Sequence, residues 1–173
     1  GWPSNIETPE DRIGIIPRSY IDAILDKDIN DDKKRDKNKM SMLLKSLARN
    51  ESTIANKKTL LKDIEQCGNE KEIIESRMTI DDYLDVLNRL HITENQNAYS
   101  ENYRSPDRLG KAVKRHFTDP SLACSCLELT RDKLINDPKT FGFMFEALVE
   151  RDLRIYMDYL GGKLYHFRDN VTG

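Results

Sequence analysis

Two glutamates lie one helical turn apart in the segment FEALVERDLR, toward the end of the 173-residue chain. Glu146 and Glu150 share one face of the predicted helix, and carboxylate oxygens are ligands that Mg²⁺ prefers. Two carboxylates on one helix hold Mg²⁺ poorly without ligands from other elements. The alternative is a solvated acidic edge in which Glu150 pairs with Arg154 at the i+4 position, and this second interpretation is favoured.

The cysteines and histidines have the wrong spacing for a metal or disulfide site. They are Cys67, Cys124, Cys126, His91, His116 and His166. Three cysteines with one C-x-C pair do not form a disulfide framework, and the histidines do not lie at zinc-ligand spacing from them. We therefore predict buried, reduced thiols, no bound metal and a cytosolic compartment.

Basic residues concentrate in three stretches, at 33–39, at 57–58 and within 104–116. Clusters of this kind contact nucleic-acid phosphates, and such binding weakens with salt. The candidate nucleic-acid-binding residues are Lys33, Lys34, Arg35, Lys57, Lys58, Arg108, Lys111, Lys114 and Arg115. The alternatives are a flexible mixed-charge loop for the first stretch and an exposed linker for the last.

Overall charge and apolar content limit the class of protein. Lys and Arg number 28 against 30 Asp and Glu, and the resulting net charge of −2 argues against nucleic-acid binding through overall charge. No apolar run approaches the ~20 residues of a membrane span, and the start does not resemble a signal peptide. We predict a soluble, cytoplasmic protein without membrane contact.

The first half has the pattern of three short helices followed by extended segments. Apolar residues recur at helical spacing from Met40 to Asn50 and in a shorter helix that stops near Gly68. A third helix, TIDDYLDVLNRL, is predicted to have Thr79 as its N-cap, with two aspartates in its first turn. The segment HITENQNAYSENY reads as two short strands around a turn, which completes the outline of a winged helix-turn-helix. Three aspartates on the third helix disfavour its insertion into a DNA groove.

The second half predicts a long helix and one strand. Asp119–Pro120 and Asp137–Pro138 each have the order that opens a helix, and Gly161 and Gly162 end the second one. The segment KLYHFRD alternates like a strand. One side of the long helix is lined by Phe145, Leu148, Val149, Leu153, Tyr156 and Leu160. Its aromatic side is most simply core: Phe141, Phe143, Phe145, Tyr156 and Tyr159. If further strands normally cover this side, it would be exposed here and would favour a homodimer or domain swapping.

The chain resembles the carboxy-terminal region of uncharacterised prokaryotic AAA-type ATPases, which carry a domain of unknown function at this end. The resemblance rests on GWP, YIDAILDKDI, LLKSLARN, DDYLDVLNRLHI, KRHFTDPSLA, FGFMFEALVERDL and HFRDNVTG, in the family's order. It implies a segment cut after the ATPase core and before the end of a domain similar to PD-(D/E)xK nucleases. In that comparison Glu146, with Glu150 one turn later, would be the remnant of a metal site whose strand ligands lie further on.

The resemblance also implies that ATP and Mg²⁺ belong to the parent protein. The chain contains no G-x-x-x-x-G-K-[ST] phosphate loop, so we predict that it neither binds nor hydrolyses ATP alone and takes no cofactor. The expected fold class is mainly α (α+β). The expected units are a lead-in at 1–36, a winged-helix-like unit at 37–103 and a truncated nuclease-like α/β unit at 104–173.

Three functions remain open from the sequence. The first is a non-catalytic accessory region of the ATPase that engages DNA or a partner. The second is a metal-dependent nuclease-like domain made incomplete by truncation, and the third is a pure protein-interaction module.

Overall fold

Seven helices and one two-stranded sheet form the part of the protein that the structure, a computed structural model, describes. That part comprises residues 7–9, 12–27, 29, 34–69, 77–101, 104 and 112–167. The helices are α1 (Ile15–Asp26), α2 (Lys37–Arg49), α3 (Lys57–Cys67), α4 (Arg77–Arg89), α5 (Pro120–Cys126), α6 (Arg131–Asn136) and α7 (Pro138–Tyr159), and the strands are β1 (Thr93–Gln96) and β2 (Lys114–Phe117). The predicted class, mainly α with a small β component, is confirmed.

Side-chain caps fix the starts of five helices, including α6, where Thr130 accepts a hydrogen bond from the backbone of Lys133. Asp36 accepts hydrogen bonds from the backbone of Asn38 and Lys39 at the start of α2, and Asn56 accepts one from Thr59 in α3. Asp119 and Asp137 cap α5 and α7, each with proline at the next position, as predicted. The predicted helix ends are also confirmed at Asn50, at Gly68 and at Gly161, whose φ of 72° is a conformation that favours glycine.

The start of α4 differs from the prediction. The helix begins at Arg77, so Thr79 lies inside it and is not its N-cap, and no aspartate falls in its first turn. The error arose because Thr79 followed by two aspartates matches the local rule for a helix start, although these residues lie inside the helix.

The partner of β1 lies further along the chain than predicted. Thr93–Gln96 pairs antiparallel with Lys114–Phe117, with Glu94 opposite His116 and Gln96 opposite Lys114. The second extended piece was expected within residues 91–103, so residues 97–113 separate the two strands instead. This pairing crosses the predicted boundary between residues 103 and 104.

One cluster of buried apolar side chains joins the described elements. It draws on α1, α2, α3, α4, β2 and α5, and its largest fully buried members include Met40, Leu60, Leu87, Phe117 and Leu122. The helix α5 packs against both α1 and α2. Residues from all three predicted units therefore contribute to a single core.

The end of the described chain returns to the hairpin. His166 forms a parallel bridge with Ala98, and Tyr99 makes edge-to-face contacts with the rings of Tyr165 and Phe167. The predicted strand KLYHFRD is reduced to this single bridge over its described residues. None of the helices in the described ranges has both the length and the apolar content that a membrane crossing needs.

Candidate interaction surface and the polar network beneath it

The long helix α7 lies across one face of the hairpin and is held there by charges. Because every second residue of a strand shares a face, Glu94, Gln96, Lys114 and His116 lie on the same side of the sheet. On α7, Glu146 forms an ion pair with Lys114, and Arg154 forms one with Glu94. Arg151 lies 3.6 Å from Asp119, the cap of α5. Partly exposed ion pairs of this kind contribute about 0.2–1 kcal/mol each.

Beneath this contact is a buried polar group that we call the Glu51 network: Glu51, Ser52, Gln96 and His116. The Glu51 side chain is 1% exposed, and its carboxylate accepts hydrogen bonds from the backbone N–H of Ser52 (3.1 Å) and of Phe117 (2.9 Å). His116 Nδ1 lies 2.8 Å from the same carboxylate, and His116 Nε2 lies 3.4 Å from Gln96 Oε1. Each polar group in this dry site has a partner, so the network links the turn after α2 to both strands.

Ser52 extends the network to α7. Its hydroxyl donates a hydrogen bond to the carbonyl oxygen of Phe143 (2.9 Å), and its backbone has a φ of 60°. The left-handed conformation costs a residue other than glycine about 1–2 kcal/mol. The hydrogen bonds around Glu51 and Ser52 offset that cost, so this turn is fixed by tertiary contacts.

Sequence reasoning missed Glu51 and Gln96. A glutamate in the polar turn segment RNEST has no local feature that separates a buried acid from a solvated one. His116 was assigned only to a basic linker, whereas it is a buried strand residue. The alternation of His116 with Phe117 and Arg115 was the available signal for a strand, but the charges around it obscured that signal.

The two glutamates that suggested metal chemistry face the hairpin and are matched by cations. Glu146 pairs with Lys114, and Glu150 Oε2 lies 3.6 Å from Arg154 Nη2, which is the predicted i+4 pair. Glu150 is not on a solvated edge, because it is only 7% exposed, and neither of its carboxylate oxygens has a hydrogen-bond partner in the part of the chain described. Within the same residues, no group of three or more His, Cys, Asp or Glu side chains is placed to hold a metal ion.

Several of the candidate nucleic-acid-binding residues bind other parts of the protein. Arg35 is buried, Lys114 pairs with Glu146, and Arg115 Nη1 donates a hydrogen bond to the carbonyl oxygen of Ala55 (2.7 Å). Burial lowers the pKa of the Arg115 guanidinium, and the nearby Asp81 carboxylate opposes that change.

The remaining candidates divide into exposed and undescribed residues. Lys57 is exposed and lies 2.6 Å from Asp81 on α4. Lys34 and Lys58 are also exposed. Lys33, Arg108 and Lys111 lie outside the described residues. Of the six described candidates, three therefore contact other parts of the protein and three lie at the surface.

The three aspartates of α4 differ in their surroundings: two form ion pairs within the protein and one is exposed. Asp82 binds the buried Arg35, Asp81 pairs with Lys57, and Asp85 is exposed. The helix that would enter the groove of a winged helix-turn-helix therefore presents acidic residues near its exposed side. Carboxylates repel the phosphates that line a groove.

The apolar side of α7 is exposed. We call it the outer stripe: Phe141, Phe145, Leu148, Val149, Leu153, Ile155, Tyr156, Tyr159 and Leu160. The expectation that the aromatic side chains of this helix form core is wrong for Phe141, Phe145, Tyr156 and Tyr159, and Phe143 is half-buried. The buried residues of α7 are Met144, Ala147 and Glu150. Helical periodicity identified the stripe correctly, but it does not indicate whether the covering surface lies in the same chain.

The three cysteines are free, but they are not equally buried. Cys67 is exposed, which contradicts its predicted burial, whereas Cys124 and Cys126 are half-buried. Burial raises the pKa of Cys124 to about 11, with a further contribution from the carboxylates of Asp119 and Glu51. Burial raises the pKa of Cys126 to about 12. Thiolates at these two positions are rare at neutral pH.

We predict that one thiol of the three reacts rapidly with an aromatic disulfide reagent near pH 8. A pKa of about 11 leaves roughly one thiolate in a thousand at that pH, so Cys124 and Cys126 should react slowly. The measurement is the release of chromophore against time for the folded protein. Cys67→Ser should remove the rapid phase and leave the slow one, and two or three rapid equivalents would contradict the assignment.

These features define the class of protein: a mainly α-helical chain with a small antiparallel hairpin, a buried polar network and an uncovered apolar helix face. The chain belongs to the family described as Domain of unknown function (DUF8612), whose model matches residues 1–133. Neither a curated protein nor a solved structure matches the chain. The matched residues contain the hairpin and the Glu51 network, and α7 follows them.

Proposed function

We propose that the chain is a non-catalytic accessory region of a prokaryotic AAA-type ATPase and that it engages a protein partner. The sequence resemblance supports the context, and the outer stripe is the observation that supports the role. On α7 the buried side carries Glu150 and Arg154, and the exposed side carries the large apolar residues. A helix that turns its apolar side to water is typical of an interaction surface.

The positions of the charged residues favour a partner over chemistry. Glu146 pairs with Lys114 on β2 and so helps to attach α7, whereas Glu150 lies near Arg154 within the same helix. A nuclease site would need several oxygen ligands converging on Mg²⁺ and a lysine near the reacting phosphate. The described residues do not bring together such a set of ligands.

A second candidate, DNA engagement, is favoured by the order of elements from α2 to β2. Three helices followed by a two-stranded hairpin are typical of a winged helix-turn-helix. The exposed Lys34 and Lys58 could contact phosphates. Against this candidate, α4 carries Asp85 on its surface, and Arg35, Lys114 and Arg115 are bound within the protein.

Fluorescence anisotropy separates these two functions. Labelled duplex and single-stranded DNA are titrated with the chain across a series of salt concentrations. We expect no change in anisotropy at micromolar protein even at low salt, because three of the six described basic candidates contact other parts of the protein. A basic, winged-helix DNA-binding protein provides the positive control.

Binding that weakens steeply with salt would overturn partner engagement in favour of DNA engagement. In that case Lys34→Ala and Lys58→Ala should each reduce the slope of log K against log salt by about one. Glu65→Ala, at an exposed position in α3, is the matched control and should leave the slope unchanged. Binding without salt dependence would also count against a phosphate-based interaction.

A further inference from the structure

The outer stripe is larger than the apolar patches that soluble monomers normally expose. The exposed fractions of its nine side chains leave on the order of 1,000 Å² of apolar surface in contact with water. The largest patch on a typical monomer is about 300–600 Å². A standard protein–protein interface takes about 800 Å² from each partner. The stripe alone is therefore large enough for a stable interface.

Six of the nine residues of the stripe form three apolar pairs about one midpoint of the helix, whereas Val149, Ile155 and Tyr159 have no apolar counterpart. Around the midpoint between Glu150 and Arg151, Leu148 and Leu153 lie at equal distances along the helix. Phe145 and Tyr156 do so further out, and Phe141 and Leu160 at the ends. A two-fold axis across α7 would place each of these residues opposite its counterpart in an antiparallel helix. A surface that matches itself in this way meets the requirement of an isologous interface.

The charge within the stripe is already compensated. Asp152 lies between the apolar residues, and its carboxylate accepts hydrogen bonds from Arg151 Nε (3.0 Å) and Nη2 (2.8 Å). Burial of an unpaired carboxylate would oppose association. Since Arg151 supplies the counter-charge from the same helix, a second copy need not provide one.

Two aromatic rings in the stripe are also arranged before any partner binds. The rings of Phe141 and Phe145 stack with centroids 6.4 Å apart. Rigid aromatic side chains lose little conformational freedom on association and often dominate its energy. The end of the stripe opposite them carries Tyr156, Tyr159 and Leu160, which are all exposed.

We propose that the partner is a second copy of this chain, bound through the outer stripe with the two α7 helices antiparallel. This deepens the proposed function and rests on it. Area, self-matching order and local charge compensation all favour a closed two-fold pair. Binding of an unrelated partner would not require the stripe to be self-complementary.

Sedimentation equilibrium from low to high micromolar protein tests the proposal. The expected mass at high concentration is twice the 20.1 kDa of one chain. Tyr156→Glu and Phe145→Glu should each weaken association at least ~100-fold, because each places two unpaired charges in the interface. Circular dichroism checks that the variants remain helical.

Ile135→Glu on α6 is the matched control. Ile135 and Tyr156 are both 60% exposed, but Ile135 lies outside the stripe. This variant should remain dimeric. Equal dissociation of the control would show non-specific apolar association and would overturn the proposal.

Cross-linking tests the antiparallel arrangement. In a Cys67→Ser background, a chain with Leu148→Cys is mixed with a chain with Leu153→Cys. Under oxidation the mixture should form more disulfide-linked dimer than either chain alone, since positions 148 and 153 face each other across the axis. Preferential linking of the Leu148→Cys chain to itself would contradict this arrangement.

The outcomes distinguish the two proposals. A monomeric mass at high micromolar concentration, together with absence of DNA binding, overturns the homodimer and leaves engagement of a different protein. Salt-dependent DNA binding overturns the proposed function whatever the mass.

Discussion

Glu51→Ala should lower the free energy of unfolding by about 3–5 kcal/mol, because it leaves buried donors without an acceptor. The carboxylate accepts from two backbone N–H groups and contacts His116 Nδ1, all at a position 1% exposed. The measurement is the urea midpoint of unfolding, followed by circular dichroism. The loss is the largest expected from a single substitution described here.

Two variants test the reason for that loss. Glu51→Gln retains one oxygen acceptor in nearly the same volume and should cost less than Glu51→Ala. Glu65→Ala removes an exposed glutamate from α3 and should change the free energy by no more than ~0.5 kcal/mol. If Glu51→Ala unfolds at the same urea concentration as the wild type, the network does not hold the turn.

Arg35→Ala should lower the free energy of unfolding by about 3 kcal/mol. The Arg35 guanidinium is 2% exposed and makes a two-pronged contact with Asp82, through Nε at 2.9 Å and Nη2 at 3.0 Å. Its Nη1 donates a hydrogen bond to the carbonyl oxygen of Ile29 (2.7 Å). Removal of the side chain takes away this donor from the Ile29 carbonyl and the two-pronged contact from Asp82, so α4 loses one of its ties to the segment before α2.

The neighbouring lysine supplies the control for Arg35. Lys34 is exposed, so Lys34→Ala should leave the urea midpoint within ~0.5 kcal/mol of the wild type. Arg35→Lys should recover only part of the loss, because an ammonium group cannot match the planar two-pronged geometry. An equal effect of Lys34→Ala and Arg35→Ala would contradict the internal role of Arg35.

Local features of the sequence were sufficient to predict several helix boundaries. Asp119–Pro120 and Asp137–Pro138 predicted two helix starts, and Asn50, Gly68 and Gly161 predicted three ends. These signals act within a few residues, through caps and backbone conformation. The predicted start of α4 was wrong because Thr79 followed by two aspartates matches the local rule for a helix start although it lies inside the helix.

Strand pairing and burial depend on residues distant in sequence, and these could not be predicted. β1 pairs with a strand that begins after residue 113, and the segment between them gives no local sign of it. Arg35 and Glu51 read as surface charges because their partners, Asp82 and His116, lie far along the chain. A charged residue is usually exposed, but it can be buried when it is paired with a residue of opposite charge or with other polar groups.

The sequence predicted which residues form the apolar side of α7, but it did not predict that this side is exposed. The apolar positions of α7 followed from helical spacing, whereas their exposure did not. The residues proposed for phosphate contact remain a prediction. Three of them contact other parts of the protein: Arg35 binds Asp82, Lys114 binds Glu146, and Arg115 donates a hydrogen bond to the carbonyl oxygen of Ala55.

The way α7 is attached has a consequence for how members of this family can differ. The family model ends at residue 133, and α7 lies beyond it. Within the described residues α7 buries Met144 and Ala147 and packs against α5 and α6, and its polar contacts to the hairpin and to the turn after α2 are ion pairs and the hydrogen bond from Ser52 to Phe143. Partly exposed ion pairs contribute little to stability compared with packed core side chains, so we expect the charges that tie α7 to the hairpin to tolerate substitution more readily than the buried residues of the core.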